Sequence, residues 1–336
     1  MKPMRIGLYG CGNRTVQLLQ EAEKCPDVQV TLCHDLNWDR AEALAKRYNA
    51  RPCTLDELLT SDEVDMYLVS LFPAAHTQAL LNVAKTGKPV YIEKPVVVTM
   101  DDIKKLIPLI GKNYVQVGLF YNYIPIYREL LRLVQSGLIG DLVGINFNWL
   151  AKFIHPEAKP GEPTNWRLVP ETGGELTQHY CHCFDWFRSL GGNFKSMVAM
   201  TNTSTENRTC VEDLWDLIIK QESGSQISFH GTEINPRYTV YGYLEGTKAT
   251  LEWEWNNPSR IVYCAGSVNE KEYKVLPVPE EVPDAVLDFI SRYQNGEAPA
   301  VSLEDGIWSV LPAIYARESA KSGTFIRFPD KLEDLL

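Results

Sequence analysis

The sequence lacks both a long apolar run and a block of like charge, and each absence excludes a class of protein. No stretch reaches the roughly eighteen apolar residues of a membrane span, and the first apolar run, at 5–9, ends in a glycine turn. We therefore expect neither a membrane span nor a signal peptide. The 33 Lys and Arg against 43 Asp and Glu give a formal net charge of −10. Without a basic face the chain is not expected to bind nucleic acid or a membrane.

The sequence also lacks a spaced cysteine framework. Its eight cysteines are Cys11, Cys25, Cys33, Cys53, Cys181, Cys183, Cys210 and Cys264. They lie mostly in apolar or helical surroundings, which is typical of reduced thiols and favours a cytoplasmic protein. Two of them flank His182 and suggest zinc, but residues at i and i+2 of a helix face different sides. We therefore expect no metal site.

The first third of the chain does contain the alternation of strands and helices that predicts a parallel sheet. With 336 residues, there is length for about two domains. The β-rich runs are 5–9, 28–33, 66–71, 90–93 and 114–120. Between them, 41–48 and 103–110 have helical periodicity, and Asp39 is expected to cap the first of these helices. This pattern predicts an α/β domain over 1–122.

Beyond about residue 122 the pattern changes to strands rich in Tyr, Trp, Thr and Ile. Helical patterns cover 126–135, 175–190 and 303–321. The segment from Lys152 to Thr164 has three prolines and no period, which favours a surface loop that could act as a lid. We therefore predict that 123–336 form an α+β domain with a largely antiparallel sheet.

A glycine motif, Gly10-Cys11-Gly12-Asn13-Arg14-Thr15, follows the first predicted strand and opens a helix. Glycines there let the backbone approach a pyrophosphate, which the helix N-terminus attracts. Thr15 stands where the usual pattern has its third glycine. That glycine lets the helix pack closely on the strand, so the larger Thr15 is a departure at the helix–strand contact. The alternative is a bare strand-to-helix turn.

Asp35 closes the second predicted strand, 23 residues beyond Gly12. A carboxylate there would accept a hydrogen bond from the adenosine 2′-hydroxyl and repel a 2′-phosphate, so NAD is favoured over NADP as the cofactor. A strand-terminal Asp that caps the following turn is the alternative explanation.

Two further groups of residues carry candidate chemistry. Glu93-Lys94-Pro95 ends the fifth predicted strand, where ligands bind in open α/β sheets. In the helical stretch after Gly173-Gly174, the side chains of Gln178, His182 and Asp185 share a face. His182 could serve as a general base, or it could simply be a core histidine.

The ordered set of these residues resembles the Gfo/Idh/MocA family of NAD(P)-dependent oxidoreductases, named for glucose-fructose oxidoreductase and inositol dehydrogenase. The matching motifs are Gly10-x-Gly12, Asp35, Pro73-x-x-His76, Glu93-Lys94-Pro95, Trp166-Arg167, Gly173-Gly174 and His182-x-x-Asp185. The match runs from Arg5 to about Phe328. It implies an α/β Rossmann dinucleotide-binding domain followed by an α+β domain with a largely antiparallel open sheet, for substrate binding and oligomerisation.

The resemblance also implies roles for particular residues. The family's hydroxyl-handling lysine and histidine map to Lys94 and His182, and Gln178 stands where the family usually has an acid. The family commonly has an arginine shortly before the proline that matches Pro125, where this chain reads Tyr121-Asn122-Tyr123. The cofactor-binding set would be Gly10, Gly12, Asn13, Arg14, Asp35, Pro73, His76, Glu93 and Lys94. The substrate-facing set would be Tyr123, Trp149, Trp166, Arg167 and Asp185, although each Trp is equally explained as core.

These residues indicate an NAD-dependent oxidoreductase that moves hydride between a sugar, polyol or related hydroxylated substrate and nicotinamide. One alternative is a glycosidase that retains NAD and cleaves by transient oxidation and elimination. Another, motivated by Gln178, is a non-catalytic sensor of dinucleotide. The resemblance further suggests a homodimer or homotetramer built on the open sheet.

Overall fold

The computed structural model describes residues 3–152, 174–203, 211–256, 258–267 and 269–336. The strands in these ranges are β1 (Met4–Tyr9), β2 (Val28–His34), β3 (Arg51–Pro52), β4 (Met66–Val69), β5 (Val90–Ile92), β6 (Val115–Val117), β7 (Leu142–Lys152), β8 (Phe194–Asn202), β9 (Leu214–Gln221), β10 (Gln226–Thr232), β11 (Ile234–Gly246), β12 (Ala249–Trp255), β13 (Arg260–Gly266), β14 (Lys271–Leu276) and β15 (Ile326–Arg327). The α-helices are α1 (Asn13–Leu19), α2 (Trp38–Tyr48), α3 (Leu55–Thr60), α4 (Pro73–Ala84), α5 (Met100–Leu106), α6 (Pro125–Gln135), α7 (Gly174–Gln178), α8 (Cys181–Gly191), α9 (Ala285–Gln294), α10 (Leu303–Trp308) and α11 (Leu311–Ser322).

The first sheet is parallel and six-stranded, in the order β3-β2-β1-β4-β5-β6. Every residue of β4 and β5 is buried, as expected for strands covered on both faces by helices. The strand order reverses between β1 and β4, and open α/β sheets bind ligands at the carboxyl ends of strands beside such a reversal. Gly10, Asp35 and Glu93 directly follow β1, β2 and β5, so all three lie at this edge.

The second sheet has nine strands in the order β14-β13-β12-β11-β7-β10-β9-β8-β15. Only β7 and β10 pair in parallel among its described strands. Along β9, Leu217 and Ile219 are buried, whereas Asp216 and Ile218 are exposed, so one face is covered and the other open. The predicted fold class, a Rossmann sheet followed by a largely antiparallel open sheet, is therefore confirmed.

The chain divides into two compact units, and the division differs from the predicted domains at residues 121–122 and at 283–307. The first unit is Met1–Phe120 with Pro283–Ile307, and the second is Tyr121–Val282 with Trp308–Leu336. The predicted domains, 1–122 and 123–336, miss the return of 283–307 to the first unit. The cause is apolar packing, since Val286 and Phe289 of α9 are fully buried in the core that also contains Leu8 of β1.

Two predictions about helix ends are wrong. The N-cap of α2 is Asn37, whose side chain accepts from the Arg40 N–H, and Asp39 lies in the first turn of the helix. The helix predicted over 175–190 is two helices, α7 and α8, separated at residues 179–180. This break places His182 in the first turn of α8.

Candidate active site

The glycine motif at residues 10–15, hereafter the glycine loop, has a backbone conformation that requires glycine at position 10. Gly10 has a φ of +101°, and a Cβ there would lie 2.1 Å from the Ser70 carbonyl oxygen. A Cβ on Gly12, the N-cap of α1, would have no atom within 4 Å. Packing among the described residues therefore does not require a glycine at position 12, and the space beside it is open at the N-terminus of α1.

Thr15 takes the position of the third glycine without disturbing the packing of α1 on the sheet. Its side chain is fully buried, and its hydroxyl donates to the Gly10 carbonyl oxygen at 2.7 Å. The hydroxyl therefore ties the first turn of the helix back to the end of β1. Asn13 and Arg14, the two residues between Gly12 and Thr15, are exposed.

The Asp35 carboxylate connects the glycine loop to the end of β2. Its Oδ2 accepts from the Cys11 N–H and its Oδ1 from the Asn37 N–H, both at 2.8 Å. The turn-capping role considered for Asp35 is thus present in the structure. Each carboxylate oxygen can accept more than one hydrogen bond and the residue is only partly buried, so the same group can also receive a ribose hydroxyl.

Glu93, Lys94 and Pro95, hereafter the Glu-Lys-Pro segment, leave β5 in a fixed conformation. The Glu93 N–H donates to the Val69 carbonyl at 2.9 Å, and the Glu93 side chain is 6% exposed. Its Oε1 accepts from Arg14 Nε at 2.8 Å and its Oε2 from the Lys94 backbone N–H at 3.3 Å. Lys94 itself is partly buried.

Helix α4 holds the same segment from the other side. The proline that opens α4, Pro73, is buried, and His76 one turn later is 1% exposed. His76 Nε2 accepts from the Leu71 N–H at 3.3 Å, so Nδ1 carries the proton and donates to the Pro95 carbonyl at 2.7 Å. Burial lowers the pKa of His76, which agrees with a neutral ring. Both ring nitrogens bind backbone, so His76 supports the segment and would need to break a bond to contact a cofactor.

In the second unit, His182 belongs to a stack of buried rings. Its side chain is fully buried and lies parallel to the Tyr121 ring, with centroids 5.4 Å apart. Tyr121 stacks in turn on Tyr127 at 4.0 Å, and its hydroxyl lies 3.5 Å from the Cys183 thiol. Burial raises the pKa of both tyrosines well above 10, so the phenols are neutral at ordinary pH. The stack fixes the plane of the His182 ring.

Asp185 and Gln178 lie in the same unit and are both buried, at 3% and 4% exposure. The Asp185 carboxylate accepts from Asn122 Nδ2 at 3.0 Å. Asn122 lies within the Tyr121-Asn122-Tyr123 departure, and no periodicity in the sequence identified it as a partner of Asp185. Among the described residues, no group of three or more potential ligands could hold a metal ion.

The predicted substrate-facing residues lie in different environments, and two of them lie outside the described residues. Trp149 is 1% exposed, and its ring centroid lies 4.5 Å from that of His179. It therefore occupies the core position that was the alternative explanation for this residue. Tyr123 is partly buried at the end of a short 3-10 helix, Phe120–Tyr123. Trp166, Arg167, Gly173 and all of the predicted lid except Lys152 lie outside the described residues.

The Rossmann sheet with its glycine loop defines a class, the oxidoreductases with a nicotinamide-dinucleotide-binding domain. A family model described as "Oxidoreductase family, NAD-binding Rossmann fold" matches residues 4–121, and the GFO/IDH/MocA C-terminal domain model matches 127–252. The chain therefore belongs to the Gfo/Idh/MocA family, as its motifs predicted.

Individual relatives agree with this assignment. Myo-inositol 2-dehydrogenase of Thermotoga maritima is 22% identical over 350 residues, covering 99% of this chain and 100% of that protein. An uncharacterized oxidoreductase of Streptococcus pneumoniae is 28% identical over 201 residues, covering 59% of this chain and 53% of that protein. The structure of levoglucosan dehydrogenase with NADH matches with a TM-score of 0.84 at 17% identity, over 98% of this chain and 100% of that one. That likeness shows the fold.

No helix in the described part of the chain has both the length and the apolar character needed to cross a lipid bilayer.

Proposed function

We propose that the protein is an NAD-dependent dehydrogenase of a sugar, polyol or related hydroxylated substrate. The observation that carries the proposal is the fixed conformation of the Glu-Lys-Pro segment, with Lys94 next to a buried carboxylate at the carboxyl end of β5. A lysine whose backbone is fixed in this way can present its ammonium to a developing alkoxide better than a lysine on a mobile segment. The nicotinamide, when bound, accepts the hydride.

His182 would take the substrate hydroxyl proton, and Lys94 would stabilise the alkoxide and join the proton relay. Gln178, as a neutral hydrogen-bonding group, would orient the imidazole or a substrate hydroxyl. Asp185, which accepts from Asn122 Nδ2 at 3.0 Å, would belong to the substrate-facing residues of the second unit. The inositol dehydrogenase among the relatives supports a polyhydroxylated substrate.

NAD is proposed over NADP because Asp35 places a carboxylate at the end of β2, held there by two backbone N–H groups. A 2′-phosphate beside this carboxylate would meet like charge. The second unit is proposed to bind substrate and to associate with further copies of the chain through its open sheet face, where Met200, Ile218 and Tyr243 are exposed.

The test is incubation of the protein with NAD and a panel of sugars, polyols and glycosides while NADH absorbance and glycoside cleavage are followed. Accumulation of NADH with one substrate supports the proposal. Glycoside cleavage without net NADH would instead identify the NAD-retaining glycosidase. Tight dinucleotide binding with neither reaction would identify a sensor.

A further inference from the structure

An ion pair joins the glycine loop to the Glu-Lys-Pro segment. Arg14 Nε lies 2.8 Å from Glu93 Oε1, and the two side chains are 43% and 6% exposed. A Cβ on Gly118 would lie 3.1 Å from the same carboxylate oxygen, so the glycine leaves room for the acid. The pair thus couples an exposed cation in the first turn of α1 to an almost fully buried anion that follows β5.

Glu93 contacts one cationic side chain, that of Arg14, and directly precedes a second cationic residue, Lys94. Its second oxygen accepts from the backbone N–H of Lys94, and its first accepts from Arg14. A carboxylate with so little solvent keeps its charge only where cations or hydrogen-bond donors compensate it. At this edge of the parallel sheet the Glu93 carboxylate is therefore compensated by the Arg14 guanidinium and by the Lys94 backbone N–H.

We propose that Glu93 is a counter-ion that adjusts the relative affinity of the protein for the oxidised and the reduced cofactor. This inference rests on the proposed function, which places the reacting nicotinamide beside the substrate that Lys94 stabilises. The nicotinamide ring is cationic in NAD⁺ and neutral in NADH, while the rest of the two molecules carries the same charge. A nearby fixed charge therefore changes the ratio of the two dissociation constants, and contacts that both forms share cancel from it.

The direction of each effect follows from Coulomb's law. Removing the charge of Glu93 removes the negative charge that opposes Arg14, which disfavours the cationic ring. Removing the charge of Arg14 leaves the negative charge of Glu93 without its ion-pair partner, which favours binding of the cationic ring. For unit charges about 12 Å apart at an effective dielectric near 20, the ratio should change by about tenfold. If the pair only ties the loop to the segment, both dissociation constants should change together and their ratio should stay constant.

The experiment measures the dissociation constants of NAD⁺ and of NADH separately, by calorimetry and by NADH fluorescence, at one pH and ionic strength. Glu93→Gln keeps the shape of the side chain and one of its two accepting oxygens. It should raise the ratio Kd(NAD⁺)/Kd(NADH) by about tenfold. Arg14→Gln should lower the ratio. The double variant should return it towards the unmodified value, because it removes both charges.

A control ion pair exists at the opposite end of the same sheet. Arg5 of β1 and Asp65, directly before β4, are also 2.8 Å apart. Arg5→Gln and Asp65→Asn should leave the ratio unchanged. Thermal unfolding shows whether each variant is folded. If Glu93→Gln does not fold, Arg14→Lys, which keeps the charge, should leave the ratio unchanged while Arg14→Gln lowers it.

A ratio that stays constant in folded Glu93→Gln, or that rises in Arg14→Gln, would overturn the counter-ion role while leaving the dehydrogenase proposal intact. Failure of the unmodified protein to bind either form of the dinucleotide would overturn the proposed function, and this inference with it. Loss of affinity for both forms by the same factor would assign the pair a structural role only.

Discussion

At the scale of single residues, Lys94 offers the sharpest test of the proposed chemistry. Its backbone is fixed by Glu93 and by the bond from His76 to Pro95, so Lys94→Ala removes an ammonium group and leaves that frame in place. We expect NAD affinity to stay within a few times its original value. Hydride transfer with the substrate found in the panel should fall by ~10² or more.

The control for Lys94→Ala is Lys85→Ala, which truncates an exposed lysine at the end of α4. It should leave both cofactor affinity and turnover unchanged. Full turnover in Lys94→Ala would mean that the fold is right and the assigned chemistry is wrong.

The proposed preference for NAD over NADP can be tested at Asp35 and its neighbour Leu36. Leu36 is 90% exposed, so an arginine there can reach solvent or a phosphate without clashing with the core. Asp35→Ser combined with Leu36→Arg should strengthen NADP binding relative to NAD by about tenfold or more, since it replaces repulsion by an ion pair. Leu36→Arg alone is the control and should have a smaller effect. Tighter binding of NADP than of NAD by the unmodified protein would contradict the assignment.

His76 should make the stability of the protein depend on pH. Its pKa is lowered in the folded state by burial, and the unfolded chain has the ordinary value near 6.5. The unfolded state therefore binds more protons below about pH 6.5, so the free energy of unfolding should be greatest above that pH and fall as the pH drops. Each pKa unit of lowering corresponds to about 1.4 kcal/mol.

The measurement for His76 is urea unfolding at about pH 7.5 and about pH 5.5, compared with His76→Asn. The variant should be less stable at the higher pH because it loses buried hydrogen bonds to Leu71 and Pro95. Its stability should also change less between the two pH values. An equal change in both proteins would show that the pH dependence comes from other groups.

At the scale of helices and strands, the sequence predicted the middles of elements better than their ends. The periodic apolar residues of α2 predicted that helix, but two residues near its start, Asn37 and Asp39, could each accept a first-turn N–H. The structure selects Asn37, which has the extended φ and ψ that an N-cap needs, and Asp39 lies beside the positive end of the helix.

The break between α7 and α8 could not be predicted for a different reason. The described side chains around it are almost all buried, so there is no change from an apolar to a polar face and no Gly or Pro at 179–180. Without such a signal, one long helix and two short ones give the same pattern. The sequence motifs identified His182 and Asp185 as candidate site residues. The Asn122 partner of Asp185 and the ring stack could not be predicted, because they depend on contacts between segments about 60 residues apart.

At the scale of the whole molecule, the open face of the nine-stranded sheet gives a testable expectation about assembly. Met200 is 76% exposed and Ile218 48% on this face, which is unusual for residues of their size. Ile218→Lys should shift the protein to smaller species in light scattering, because a buried lysine without a partner is costly. Leu138→Lys, at a 37% exposed residue in the turn after α6, should have no such effect. An unchanged mass in Ile218→Lys would place the contact elsewhere or exclude it.

The return of residues 283–307 to the first unit also has a consequence for the order in which the protein can be made. Helix α9 contributes Val286 and Phe289 to the core that contains Leu18 of α1, so the amino-terminal unit lacks part of its core until this late segment exists. At about 5–20 residues per second, a ribosome needs about 10 to 40 s to pass from residue 120 to residue 307. During that interval the nascent amino-terminal sheet carries an uncovered apolar surface, and the chain is most exposed to chaperones and to aggregation while the strands of its second sheet are being synthesised.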